Sequence, residues 1–343
     1  MIYTVTLNPC IDRTLTVERF HIGGTFQIVR SDPLPAGKGV NVARVVATLG
    51  EPVVALGWVG EGEAASFAAE LARAGIENHL VAIPGFTRTN VTILDLEWHT
   101  ETHLRDRGLE PPPGTLARLE EELERVAAGD WVILAGSLPP GLPCDTYRAL
   151  IRLCAGRGTR TLLDTSGPPL LSGVTAPPTL LKPNVSELWQ IDRGLDEMEK
   201  GEEGKRGKGE KERGEGGEAE ILAAARRLQA ERVPPGADGD RLMVVVSMGE
   251  RGALGLDRRG CAWHAQVSLD APAVDTVGSG DALVAGVVTA LARGMPFPDA
   301  LRLGVACGAA NALVAGAGCC HRHDIERLAA RSCAGAMSVV SGV

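Results

Sequence analysis

The residues from Asp275 to Asp281 read Asp-Thr-Val-Gly-Ser-Gly-Asp and lead into an apolar stretch, Ala282 to Arg293, with helical character. Small residues just before a helix leave its first backbone N–H groups exposed, which makes a ready anion site. An acid in the first helical turn, Asp281, would sit beside that anion. Its carboxylate could take a proton from an attacking hydroxyl while the amides of Gly278, Ser279 and Gly280 hold a transferring phosphoryl group. The plainer reading is a helix cap after a glycine turn, with Asp281 favoured by the helix dipole alone. The motif by itself leaves both open.

A second cluster, Lys182-Pro-Asn184-Val-Ser-Glu187, follows an apolar strand. Asn184 and Glu187 stand three apart, so their oxygens share a face if a helix starts there. Such oxygens can hold the water shell of Mg²⁺, an ion that keeps several waters when it binds nucleotide phosphates. The same spacing is that of a capping box, and taken alone the segment favours the cap. A third cluster, Gly37-Lys38-Gly39-Val-Asn41, enters a helix at Val42; its glycines permit close backbone approach and Lys38 can meet a phosphate. Asp12, just after the first strand, is placed to bind sugar hydroxyls or to end a turn. Gly136-Ser137-Leu-Pro-Pro-Gly141 follows the strand Trp131 to Ala135, where a ligand loop belongs. Arg88 and Asn90 could complete a phosphate clamp, with surface charge as the bland reading of Arg88.

Rival motifs are weaker. Gly60-Glu-Gly62-Glu-Ala-Ala65 approaches a dinucleotide fingerprint, but His79 to Ile83 offers no acid for a ribose. The loop G-x-x-x-x-G-K-[ST] is absent, because Lys38 is followed by Gly39. His99 with His103, and His321 with His323, lack a clear third metal ligand and read as exposed side chains.

The elements that must position these groups repeat one pattern, a short apolar run followed by an amphipathic stretch. Pro52 to Val59 precedes Ala64 to Ala74, and Trp131 to Ala135 precedes Cys144 to Ala155. Ile2 to Leu7, Thr161 to Asp164, Leu180 to Lys182 and Leu242 to Ser247 are further strands. The alternation predicts an α/β fold with a mainly parallel sheet covered on both faces. Ile11 to Val29 and Thr87 to Leu104 read instead as strands without helices, a small antiparallel sheet serving as a lid, with bounds near 11–35 and 86–105. Residues 196–220 are almost wholly Glu, Lys, Arg and Gly and read as a flexible charged insertion within one domain spanning 1–343.

Composition narrows the partners. The 343 residues carry a formal net charge of -8, so no global basic field argues for nucleic acid or an anionic membrane. No apolar run is long enough to span a bilayer, and the start does not read as a signal peptide. Eight scattered cysteines, none in a C-x-x-C pair, suit reduced thiols in a cytoplasmic protein.

Taken in order, TLNPCIDRT, GKGVNVARV, GSLPPG, LKPNVSEL, VVVSMGERGALG and DTVGSGDALVAG resemble the ribokinase-like sugar kinases of the PfkB family over nearly the whole chain, the charged insertion apart. TLNP and the GKG-x-N loop look most like its branch acting on phosphorylated ketohexoses, which includes 1-phosphofructokinase and tagatose-6-phosphate kinase. The resemblance implies ATP and Mg²⁺ as cofactors, Asp281 as catalytic base, and Gly278, Ser279 and Gly280 as an anion hole. It puts Asn184 and Glu187 at Mg²⁺, Lys182 near the nucleotide phosphates, and Ser247 and Gly249 on ATP. Asp12, Gly37, Lys38, Gly39 and Asn41 would hold the sugar, with Arg88 and Ser137 on its phosphate. Lids in this family often pair, which implies a homodimer. The chain departs from the branch after the lid, where it reads THLRDRGLEPPP and Arg105 and Arg107 add positive charge.

The expected activity is phosphorylation of fructose 1-phosphate to fructose 1,6-bisphosphate. Tagatose 6-phosphate, fructose 6-phosphate, and an unphosphorylated sugar or nucleoside are alternative substrates. A non-catalytic sugar-phosphate sensor is the reading from another class, and a nicotinamide-dependent oxidoreductase rests only on the imperfect fingerprint.

Overall fold

The computed structural model of the chain describes residues 1–176, 178–200 (195–200 as backbone only), 216–231 and 241–337. In chain order the strands are β1 (Ile2–Thr6), β2 (Cys10–Val17), β3 (Arg30–Ala36), β4 (Val53–Gly60), β5 (Glu77–Ile83), β6 (Arg88–Asp95) and β7 (Thr100–Leu104). There follow β8 (Trp131–Ala135), β9 (Arg160–Asp164), β10 (Leu180–Leu181), β11 (Met243–Ser247), β12 (Ala253–Leu256), β13 (Ala262–Gln266) and β14 (Cys333–Ala336). The helices are α1 (Lys38–Thr48), α2 (Ala64–Arg73), α3 (Thr115–Leu123), α4 (Thr146–Gly156) and α5 (Gly167–Gly173). Then come α6 (Val185–Lys200), α7 (Glu218–Glu231), α8 (Ser279–Ala292), α9 (Phe297–Ala312) and α10 (Arg322–Arg331).

Ten strands form one sheet in the order β14-β13-β12-β11-β10-β9-β8-β1-β4-β5. From β11 to β5 every pairing is parallel, whereas β12, β13 and β14 close one end antiparallel. Alternation along each strand explains why both faces are covered. In β8, Trp131, Ile133 and Ala135 join one core with α1, α2, α8, α9 and α10, while Val132 and Leu134 join another with α3 to α7. Successive side chains point to opposite faces, so a strand buried on both sides must be apolar throughout. The loops leaving the carboxyl ends of β1, β8, β9, β10 and β11 therefore gather at one rim of the sheet, where ligands of open α/β sheets bind.

The second sheet, β3-β2-β6-β7, differs from the expected antiparallel lid. Its central pair is parallel, running from Cys10 opposite Arg88 to Val17 opposite Asp95, and only the outer pairs are antiparallel. The cause lies in the chain path. Strand β2 leaves the carboxyl end of β1 and β6 that of β5, so both run outward from the same rim. The return strand lies at the end of the segment near 11–35, not in its middle. Residues 18–29 form no strand, and Arg30–Ala36 takes that place. Pro33 and Pro35 hide its strand character, yet proline is tolerated there because β3 is an edge. Buried Asp95 pins the far end of this sheet by accepting the backbone N–H groups of Arg19, Phe20, Glu97 and Trp98.

The charged insertion read at 196–220 falls mostly on 201–215, outside the described residues; its two ends are helical, in α6 and α7. Among the described residues no helix is long and apolar enough to cross a membrane, and no three His, Cys, Asp or Glu side chains group to hold a metal. The fingerprint glycines have packing roles. A Cβ on Gly60 would lie 2.4 Å from the backbone N of Thr87, and one on Gly62 would lie 2.4 Å from the Phe86 ring.

Candidate active site

Helix α8 opens at the rim with its N-terminus bare. Gly278 caps it at φ 82°, and a Cβ there would be 2.6 Å from that of Ala317, so glycine is required both by conformation and by space. Asp275 shapes the approach by accepting the N–H of Val277 at 2.8 Å and that of Gly316 at 3.1 Å. The N–H groups of Gly278 and Gly280 have no acceptor among the described residues, as expected of a first turn open to an anion. Ser279 departs from the expected anion hole. Its N–H is bonded to the Thr276 carbonyl, its hydroxyl meets Asn311 of α9, and it does not line the cavity.

Asp281 lies beside these amides, 6% exposed, and accepts a 2.9 Å hydrogen bond from Asn41 Nδ2. Burial pushes its carboxyl up to about 6, against the pull of Lys38, Asn41 and Lys182 and with a push from Asp164. A carboxylate with that affinity is ionised near neutrality yet binds a proton far more readily than an exposed one, as suits a general base.

Asp164, at the end of β9, was read from the sequence only as a strand residue. It is fully buried, and its Oδ1 lies 3.2 Å from both Lys38 Nζ and Lys182 Nζ. Burial opposes its charge, but the two ammonium groups hold its carboxyl below the usual range. Lys38, its side chain 39% exposed, in turn keeps its charge because the attraction of Asp164, Asp281 and Glu187 outweighs its partial desolvation. A Cβ on Gly280 would sit 3.8 Å from Lys182 Nζ, so that ammonium adjoins the α8 N-terminus. Helix terminus and lysine thus converge on one place for negative charge.

The cavity of about 540 Å³ runs from these groups to the root of the second sheet. There Asp12 Oδ1 accepts from Asn90 Nδ2 at 2.9 Å and from the Cys10 thiol at 3.2 Å. Burial and the Asp12 charge push that thiol up, so it remains a donor. Arg88 donates to the carbonyls of Asn8, Pro9 and Asp106, and no carboxylate pairs with it among the described residues. Arg105 reaches Asp12 at 3.7 Å. Asn8, also missed in the sequence, donates to Ser137 Oγ at 3.1 Å and so ties the β1 and β8 loops together.

Asn184 and Glu187 make the reciprocal capping box, each accepting the other's backbone N–H at 2.8 Å. They also line the cavity, so cap and ligand contact coexist. Gly37, Lys182 and Ser247 line it as well, whereas Gly39 and Gly249 do not. Gly39 packs α1 on β1, since a Cβ there would lie 2.3 Å from Thr6 Oγ1. Gly249 belongs to a short 3-10 turn just past Ser247. The donor set fits a hydrated Mg²⁺: the Glu187 carboxylate, the Asn184 amide, and a buried Asp164 Oδ2 that has no partner among the described residues.

Residues 6–323 match the family described as pfkB family carbohydrate kinase. The chain belongs to the PfkB family. It is a carbohydrate kinase, a phosphotransferase acting on an alcohol group. It is 36% identical over 308 residues to the 1-phosphofructokinase of Rhodobacter capsulatus, covering 89% of this chain and 88% of that one. It is 33% identical over 331 residues to the ATP-dependent 6-phosphofructokinase isozyme 2 of Mycobacterium tuberculosis, covering 95% and 88%. Among solved structures, phosphofructokinase-2 of Escherichia coli in complex with substrates and products superposes with a TM-score of 0.82 at 25% identity, covering 96% and 98%. The PfkB fold accounts for the parallel sheet flanked by helices and for the smaller sheet beside it.

Proposed function

We propose that this PfkB kinase transfers the γ-phosphoryl group of ATP to a hydroxyl of a ketohexose phosphate, with fructose 1-phosphate as its principal substrate. The carrying observation is Arg88, a cation donating only to neutral carbonyls, in the same cavity as Asp281. An unneutralised guanidinium there favours a substrate already bearing a phosphate. Arg105 and Ser137 lie within reach of the same group, and Asp12 Oδ2, Asn90 and Asn41 offer partners to sugar hydroxyls. The 1-phosphofructokinase relatives favour the 1-phosphate. The 6-phosphofructokinase relative favours fructose 6-phosphate as the second reading.

In the transfer, Asp281 accepts the hydroxyl proton as the sugar oxygen bonds to the γ-phosphorus. The bond to the β-phosphate oxygen breaks, and ADP leaves. The amides of Gly278 and Gly280, with Lys182, hold the equatorial oxygens where charge accumulates. Glu187 and Asn184, with Asp164, would hold Mg²⁺, which would neutralise phosphate charge. Ser247 lies on the nucleotide side. Gly39 sets the packing of α1 on β1 beside the cavity-lining Lys38, and Gly249 shapes the turn just past Ser247.

Two tests follow. Arg88→Met should lower kcat/KM for fructose 1-phosphate about 100-fold, in line with losing one buried charge-assisted contact, while trace turnover of free fructose stays level. Equal losses on both sugars would remove Arg88 from the phosphate. Phosphorus NMR should show the product carrying two phosphomonoesters.

The loops of the second sheet expose Ile22, Ile28, Val29 and Trp98, and the uncovered edge strand β7 exposes Leu104. Exposed apolar side chains beside an uncovered strand edge suit a second copy of the chain. Light scattering should give twice the chain mass of 35.9 kDa; a monomer at assay concentration rejects the pairing.

A further inference from the structure

Arg44 of α1 is 5% exposed and does not line the cavity, yet it stands two hydrogen bonds from Asp281. Its Nε donates to Glu70 Oε1 of α2 at 3.0 Å. Its Nη1 donates to Asn41 Oδ1 at 3.2 Å and to the Ala317 carbonyl at 3.0 Å, and its Nη2 to the Pro35 carbonyl. One side chain therefore joins α1, α2, the end of β3 and the loop after α9. Burying a guanidinium is costly, and packing alone would be served by an apolar residue.

The amide of Asn41 has one acceptor end and one donor end. A guanidinium can only donate, so it takes the oxygen and leaves the NH₂ group toward Asp281. A reversed amide would set oxygen against the carboxylate and NH₂ against Arg44, both repulsive. We propose that Arg44 is a positioning residue for phosphoryl transfer, fixing the Asn41 amide so that its donor end holds Asp281 beside the α8 amides. Through Pro35 and Ala317 it also ties that setting to the root of the second sheet and to the loop that packs on Gly278. The inference rests on Asp281 being the base.

The test is a double-mutant cycle with pH profiles of kcat for Arg44→Met, Arg44→Lys, Asn41→Ala and the Arg44→Met/Asn41→Ala pair. Arg44→Met should lower kcat about 10- to 100-fold, the scale of a small misplacement at a reacting centre, with little change in the KM for ATP. Its acid limb should move to higher pH, because Asp281 loses a donor while Lys38 from α1, Asp164 from β9 and Lys182 after β10 still face it. The pair should be no worse than Asn41→Ala alone. Lysine keeps the charge without the fork, so Arg44→Lys should not rescue.

Additive losses, or an acid limb that does not move, overturn the inference. If Arg44→Met does not fold, Glu70→Gln loosens the guanidinium from its other side and should shift the limb the same way; a profile identical to wild type overturns it. Asp281→Asn separates the two readings. An active Asp281→Asn enzyme removes the base itself, whereas an inactive one with an additive cycle removes only Arg44.

Discussion

Asp281→Asn is expected to lower turnover about 10²- to 10⁴-fold, the range of a lost general base, and at the same time to raise the melting temperature. Asparagine fills the same space and keeps a partner for Asn41, but it cannot take the hydroxyl proton. ATP affinity by calorimetry should stay close to wild type. Wild-type turnover should fall as the pH drops through about 6, where the carboxylate takes up a proton. The stability effect has the opposite sign to the catalytic one. The folded carboxyl titrates above its ordinary value of 3.8, so its contribution is full below that value and is lost as pH rises through about 6. At pH 7 the buried ionised group therefore works against folding. Asparagine removes that cost. Near-normal turnover, or a lower melting point with turnover lost, would each count against this account of Asp281.

Asp164→Asn is expected to act in the reverse direction. It leaves Lys182, 5% exposed, and Lys38 without their shared carboxylate. Breaking a buried pair costs about 3–5 kcal/mol, and the 39% exposure of Lys38 places this case near the lower figure. Turnover should fall as well, because both ammonium groups lose the anchor that sets them beside the phosphates. Linkage gives the pH window. The folded carboxyl is depressed, so its stabilisation is present above the ordinary carboxylate range and disappears as pH falls through the folded value. Urea titrations at pH 7 and in acid measure this: the gap between variant and wild type should narrow in acid. Equal stability at pH 7 would mean that the ion pairs add nothing net.

The two aspartates also show what a sequence discloses. Asp281 was legible as a candidate because the motif around it is local, small residues ahead of it and a helix behind it, although its partner Asn41 stands 240 residues away in the chain. Asp164 carries no such surroundings. It closes an apolar strand, and its lysines stand 126 and 18 residues away in the chain. Asn8 and Arg44 were missed for the same reason, since Ser137 and Ala317 reach them only through the fold. Gly39 and Ser279 had the right residue types in the right loops, but one turns to Thr6 and the other to Asn311. The parallel sheet was readable from apolar runs alternating with amphipathic ones. The parallel pairing of β2 with β6 was not, because register between distant strands is set by where both chains leave the central rim.

The central claim is that one cavity binds a sugar through its existing phosphate and adds another from ATP. ADP release with MgATP measures it directly, across fructose 1-phosphate, tagatose 6-phosphate, fructose 6-phosphate, free fructose, ribose and adenosine. The account predicts turnover confined to phosphorylated ketohexoses, with the highest kcat/KM on fructose 1-phosphate. Turnover of free fructose, ribose or adenosine as fast as any sugar phosphate, or silence across the whole panel, would contradict it.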